Sequence, residues 1–90
     1  MAFSGKRILV TGSSRGIGYA TAAYFLSTGA RVAINGRTIA STTKGIEQLG
    51  GGDQLIAASG DVGTAAGCVS VVEAAAKGLG GLDILVNSAG

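Results

Sequence analysis

The sequence predicts an α/β fold built on a parallel sheet. Three observations carry this. Short apolar runs alternate with helical segments, with about 20 to 25 residues between successive runs. The apolar runs are nearly continuous rather than alternating, as in a sheet covered on both faces. Glycines punctuate the segment ends, 17 of 90 residues in all, with no collagen-like period.

Residues 6–11 read as a short buried strand, ended by Gly12. A helical segment follows over 17–28, carrying Ala20, Ala23, Tyr24, Phe25 and Leu26, with Gly29 as a C-terminal stop. Residues 31–35 form the second strand, β-branched at its centre. A weaker helix over 38–49 has Ile39, Ile46 and Leu49 as its apolar marks, and Gly50-Gly51-Gly52 stops it. Residues 54–58 form the third strand. The clearest helix covers 64–79, where Val69, Val72, Ala76 and Leu79 fall three to four residues apart on one expected buried face. Gly80-Gly81 ends it, and residues 83–87 form the fourth strand. The whole chain, 1–90, reads as one unit with no linker and no repeat.

Composition narrows the chemistry. Hydrophobic residues make up 47% and charged residues 13%, too apolar for a disordered chain. There is no histidine, which excludes a His-based zinc site and a His-dependent triad. The single cysteine, Cys68, excludes an internal disulfide and fits a reducing compartment, so the cytoplasm is the expected location. Cys68 reads as a packed thiol, with no basic cluster beside it to lower its pKa. Net charge is +2, but the seven basic residues are scattered, so no nucleic-acid surface is expected. Ile8-Leu9-Val10 is too short for a signal-peptide core, and nothing approaches the roughly 18 apolar residues of a membrane span.

Between the first strand and the first helix lies Thr11-Gly12-Ser13-Ser14-Arg15-Gly16-Ile17-Gly18. A strand leaves through a tight turn into a helix whose first N–H groups lack intrahelical partners. Those donors and the helix dipole favour a phosphate, and glycine lets the backbone approach it. At the end of the second strand an NAD site would place a carboxylate on the ribose hydroxyl. Here the residues are Asn35-Gly36-Arg37-Thr38, with no acid. Arg37 sits where a 2′-phosphate would lie, and Arg15 is inside the glycine loop. Two guanidiniums suit an anion better than a sugar hydroxyl. After the third strand, Asp61-Val62 either caps the next helix or reaches an adenine amino group. After the fourth, Asn87-Ser88-Ala89-Gly90 is in isolation an ordinary turn.

Together these residues resemble the N-terminal half of the short-chain dehydrogenase/reductase family, over the whole chain. The family's T-G-x-x-x-G-x-G matches Thr11, Gly12, Gly16 and Gly18. Its Asp-Val pair matches Asp61 and Val62, and its N-N-A-G matches Asn87-Ser88-Ala89-Gly90, with Ser88 replacing the second Asn. The resemblance implies a Rossmann-type doubly wound parallel sheet, its first four strands in the order 3-2-1-4, incomplete without a C-terminal half. It implies a nicotinamide cofactor, with Arg15 and Arg37 at the basic positions of NADP-preferring members and Gly36 where NAD-preferring members carry Asp. NADP is therefore expected over NAD. Ser14 and Ile17 would meet the pyrophosphate, Asn87 would tie strands beneath the adenosine, and Ala89 and Gly90 would line the ribose.

The family's catalytic Tyr-x-x-x-Lys and Ser come later in the chain. Tyr19 and Tyr24 are followed four residues on by Ala23 and Thr28, so no catalytic residue is assigned. By the resemblance, the complete enzyme would move a hydride between NADP and a small-molecule carbonyl or alcohol. A C-terminal half would carry the Tyr-x-x-x-Lys, in a homo-oligomer. The alternative is a stand-alone nucleotide-binding or regulatory module without catalysis.

Overall fold

The computed structural model describes residues 2–88. The elements run β1 (Arg7–Thr11), α1 (Gly16–Ser27), β2 (Arg31–Ile34), α2 (Ile39–Gln48), β3 (Leu55–Ala57), α3 (Ala65–Leu79) and β4 (Ile84–Asn87). The four strands form one parallel sheet in the order β3-β2-β1-β4, as the family resemblance implies. Ile8 lies beside Val32 and Ile84, and Val32 beside Leu55.

Strand alternation sends side chains to two cores. Ile8, Val10, Val32 and Ile34 pack with Ala22, Phe25 and Leu26 of α1 and Ile46 of α2. Leu9 and Ala33 pack with Val71, Ala75 and Leu79 of α3. Both faces of the central strands are therefore covered, which is why β1 and β2 are apolar almost throughout.

Helix ends differ from the sequence-based ranges by a residue or so, because the flanking threonines cap rather than join the helices. Thr38 and Ser41 form a reciprocal capping box at the start of α2. The Thr64 hydroxyl accepts from the Gly67 N–H at the start of α3. Gly80, with φ of 80°, ends α3 in the left-handed conformation.

The expected buried face of α3 needs correction. The buried stripe is Val71, Ala75 and Leu79, whereas Val69 is 59% exposed. Val72 packs only partly against the core. The helix carries apolar residues around most of its circumference, so periodicity alone admits more than one stripe. The sheet decides: α3 lies across β3, β2 and β1, and the 71/75/79 stripe is the one that meets Leu9 and Ala33.

The far end of the sheet is pinned by an ion pair. Arg7 Nε and Nη2 donate to the two Asp83 carboxylate oxygens at 3.0 and 3.1 Å, and the Arg7 backbone N–H adds a third bond at 2.9 Å. Arg7 Nη1 also donates to the Gly80 carbonyl, and Arg31 Nη1 to that of Leu79. Two strand starts thus hold the C-terminus of α3, favoured by its dipole.

Candidate functional site

A cleft of about 830 Å³ opens at the C-terminal ends of the strands. In an open parallel sheet, ligands bind at this end, where strand order reverses. Here the reversal falls between β1 and β4. The loop after β1 supplies Gly12, Ser14, Arg15 and Gly16 to the wall. The end of β2 supplies Asn35, Gly36, Arg37 and Thr38, the end of β3 supplies Gly60 to Gly63, and β4 supplies Asn87 and Ser88.

Gly12 and Gly16 have φ of 62° and 66°, backbone that side chains resist. A Cβ on Gly16 would meet no heavy atom within 4 Å, so this part of the loop faces open space. Gly18 differs. A Cβ there would collide with the Gly12 carbonyl and stand 2.8 Å from the Ser88 hydroxyl, so α1 sits hard against the turn. Gly45 of α2 also packs against the loop, its would-be Cβ 2.9 Å from the Ser14 Cα. Helix α1 has Arg15 at its N-cap position and no side-chain cap, unlike α2 and α3.

Beneath the loop lies a buried polar network. The Gly12 N–H donates to Asn35 Oδ1 at 2.9 Å, and Asn35 Nδ2 donates to the carbonyls of Ala58 at 2.8 Å and Gly60 at 3.2 Å. The Ser13 N–H donates to the Asn35 carbonyl, and the Asn35 N–H donates back to the Ser13 hydroxyl, both at 2.8 Å. Ser13 Oγ in turn donates to the Val10 carbonyl. The ends of three strands are thereby stitched together with every buried side-chain polar atom among the described residues partnered. Sequence reasoning missed Asn35 and Ser13 as members of the site. The available signal was an amide directly after the apolar run Val32-Ala33-Ile34, where a buried position demands partners.

On the other side, Thr11 Oγ1 donates to Asn87 Oδ1 at 2.9 Å, and the Ser88 N–H donates to Thr11 Oγ1 at 3.1 Å. Ser88 Oγ donates to the Thr11 carbonyl. Asn87 does tie strands together, and Ser88 joins the same tie.

The structure brings most of the expected residues to one cleft: Gly12, Ser14, Arg15, Gly16, Arg37, Asp61, Val62 and Asn87 all line it. Arg15 and Arg37 are both exposed at its rim. Gly18 packs behind the wall, and the Ile17 side chain is 81% exposed outside it. Ala89 and Gly90 lie outside the described residues. Asp61 does not cap α3, since Thr64 does. Its Oδ1 accepts from the Gly63 N–H at 2.9 Å, which shapes the turn. Val62 packs partly on the core beside α3. Tyr19 and Tyr24 sit on α1, and neither lines the cleft. Among the described residues no cluster of metal-ligating side chains occurs and no helix is long and apolar enough to cross a membrane.

This arrangement matches known proteins. Residues 6–90 match the family model for short chain dehydrogenase. The glucose 1-dehydrogenase of Gluconobacter oxydans is 42% identical over 98% of this chain and 34% of its own length. The crystal structure of glucose dehydrogenase from Caenorhabditis elegans, in its apo form, superposes with a TM-score of 0.83 at 38% identity, over all of this chain and 40% of that one. That of 3-ketoacyl-(acyl-carrier-protein) reductase from Brucella melitensis, complexed with NADH, gives 0.80 at 34% identity, over 91% of this chain and 33% of that one. The chain spans about a third of the length of the curated relatives it matches. Loop, sheet order and sequence agree: the chain belongs to the short-chain dehydrogenase family.

Proposed function

We propose that this chain is the dinucleotide-binding part of an NADP(H)-dependent oxidoreductase acting on a small-molecule carbonyl or alcohol. The observation that carries it is the cleft itself. Two exposed arginines, from the β1 loop and the end of β2, flank it, and Gly36 stands where a carboxylate would select NAD. The residues fit the group. Gly16 leaves the floor open, α1 starts uncapped toward it, and the first turn of α1 carries no acid.

In this reading the Gly12–Gly16 backbone and the start of α1 hold the pyrophosphate, and Arg15 and Arg37 hold the 2′-phosphate. Asp61 and Val62 flank the adenine, and Asn87 braces β4 against β1 beneath the adenosine. When bound, the nicotinamide supplies or accepts the hydride. Acid/base chemistry belongs to residues outside these 90, since neither tyrosine here has a lysine four residues on. The Brucella relative carries NADH, so the choice of NADP rests on the end of β2 in this chain.

The test is Arg37→Ala, titrated with both cofactors. A charge-assisted hydrogen bond contributes roughly 1.5–3 kcal/mol, so NADPH should weaken about 10- to 100-fold while NADH barely moves. Equal losses for both cofactors would refute the 2′-phosphate assignment.

A further inference from the structure

Gly36 is not among the glycines with positive φ, so its backbone would suit any residue. What it lacks is space. A Cβ there would stand 2.6 Å from Ser41 Oγ, 2.8 Å from Thr42 Oγ1 and 2.9 Å from the Thr42 nitrogen. The N-terminal turn of α2 therefore closes the position that a selective carboxylate would occupy. The same turn holds the neighbouring residue. The fully buried Thr42 hydroxyl accepts from the Gly36 N–H at 2.9 Å and donates to the Thr38 carbonyl at 2.8 Å. One hydroxyl thus grips both flanks of Arg37. The Gly36 carbonyl is occupied as well, accepting from the Gly60 N–H at 3.0 Å.

We propose that Thr42, which does not itself line the cleft, is a positioning residue for dinucleotide selectivity: it fixes the Gly36–Thr38 turn so that Arg37 faces a 2′-phosphate and position 36 admits no acid. This rests on the NADP reading above. The cofactor preference is then a property of how α2 docks on the end of β2, beyond the identity of two arginines. A single Gly36→Asp exchange should not yield an NAD site, because the new side chain meets Ser41 and Thr42 first.

The test uses the intact native polypeptide and two probes that differ only in the 2′-phosphate, 2′,5′-ADP and 5′-AMP, measured by calorimetry. The unsubstituted protein should bind 2′,5′-ADP more tightly. Thr42→Val, which keeps the shape and removes the hydroxyl, should cut that preference about tenfold with 5′-AMP affinity within about twofold. Thr42→Ser should restore the preference. If Thr42→Val does not fold, Thr42→Ala, which also removes the hydroxyl and leaves the cleft wall untouched, carries the same expectation. An unchanged preference in the variant, or Thr42→Ser behaving like Thr42→Val, overturns the proposal alone. Equal binding of the two probes by the unsubstituted protein overturns the NADP reading with it.

Discussion

Gly16 and Gly18 lie two residues apart at the start of α1 and answer to different physics. Gly16 needs its left-handed backbone and faces open cleft, whereas Gly18 needs the absence of a side chain because the Gly12 carbonyl lies against it. Gly16→Val should abolish NADPH binding in a calorimetric titration while circular dichroism keeps most of its signal. The backbone strain is of the order of 1–2 kcal/mol, survivable for the fold but not for a ligand at van der Waals distance. Gly18→Ala should instead lower the melting temperature, because overpacking a closed contact costs about 1–3 kcal/mol. If the two variants behaved alike, the division between ligand-facing and packing glycine would be wrong. Far from the cleft, the Arg7 guanidinium holds the Asp83 carboxyl at about 2, below its ordinary 3.8. A depressed carboxyl stabilises the fold fully above its unfolded value and loses that contribution as pH falls through its folded one. Acid unfolding of the native protein should therefore steepen between about pH 4 and pH 2, and Asp83→Asn should flatten that part of the curve.

At the scale of elements, the helix starts separate structure from site. Helices α2 and α3 are closed by Thr38 and Thr64, while α1 opens uncapped on the cleft. Thr64→Ala should cost about 1 kcal/mol in denaturant unfolding and leave cofactor affinity unchanged. A matching loss of affinity would mean that the start of α3 belongs to the binding site. The four strands and three helices were legible in the sequence because each is a local pattern bounded by glycine. The phosphate loop was legible for the same reason: its residues are contiguous and its spacing is specific. The α3 stripe was not, because Val69, Val71 and Val72 give several equally apolar faces and only the sheet selects one. Asn35 was hidden for a different reason. Its side chain bonds Gly12, Ala58 and Gly60, each more than twenty residues away, and nothing local announces those three. Thr42 and Gly36 form a pair only once α2 folds back on the end of β2.

For the molecule as a whole, coverage is uneven. The central strands are buried on both faces, but β4 is an outer strand and Leu85 on it is 51% exposed, as is Val69 on α3 at 59%. An uncovered apolar edge invites pairing. The 90-residue chain expressed by itself should associate in sedimentation experiments, and Leu85→Lys should shift it toward monomer. A monodisperse, cooperatively melting monomer would show that the exposed edge is harmless. The cleft is where fold and function meet, since four strand ends, a buried Asn–Ser network and two arginines converge there. Its assignment is tested most directly by titrating NADPH into the isotope-labelled native protein and following backbone amide resonances. The expected result is early, saturable shifts at Gly12–Ile17 and Gly36–Thr38, with NADH moving the first group far more than the second. Shifts confined to other surfaces, or none at saturating NADPH, would contradict a dinucleotide site in this cleft.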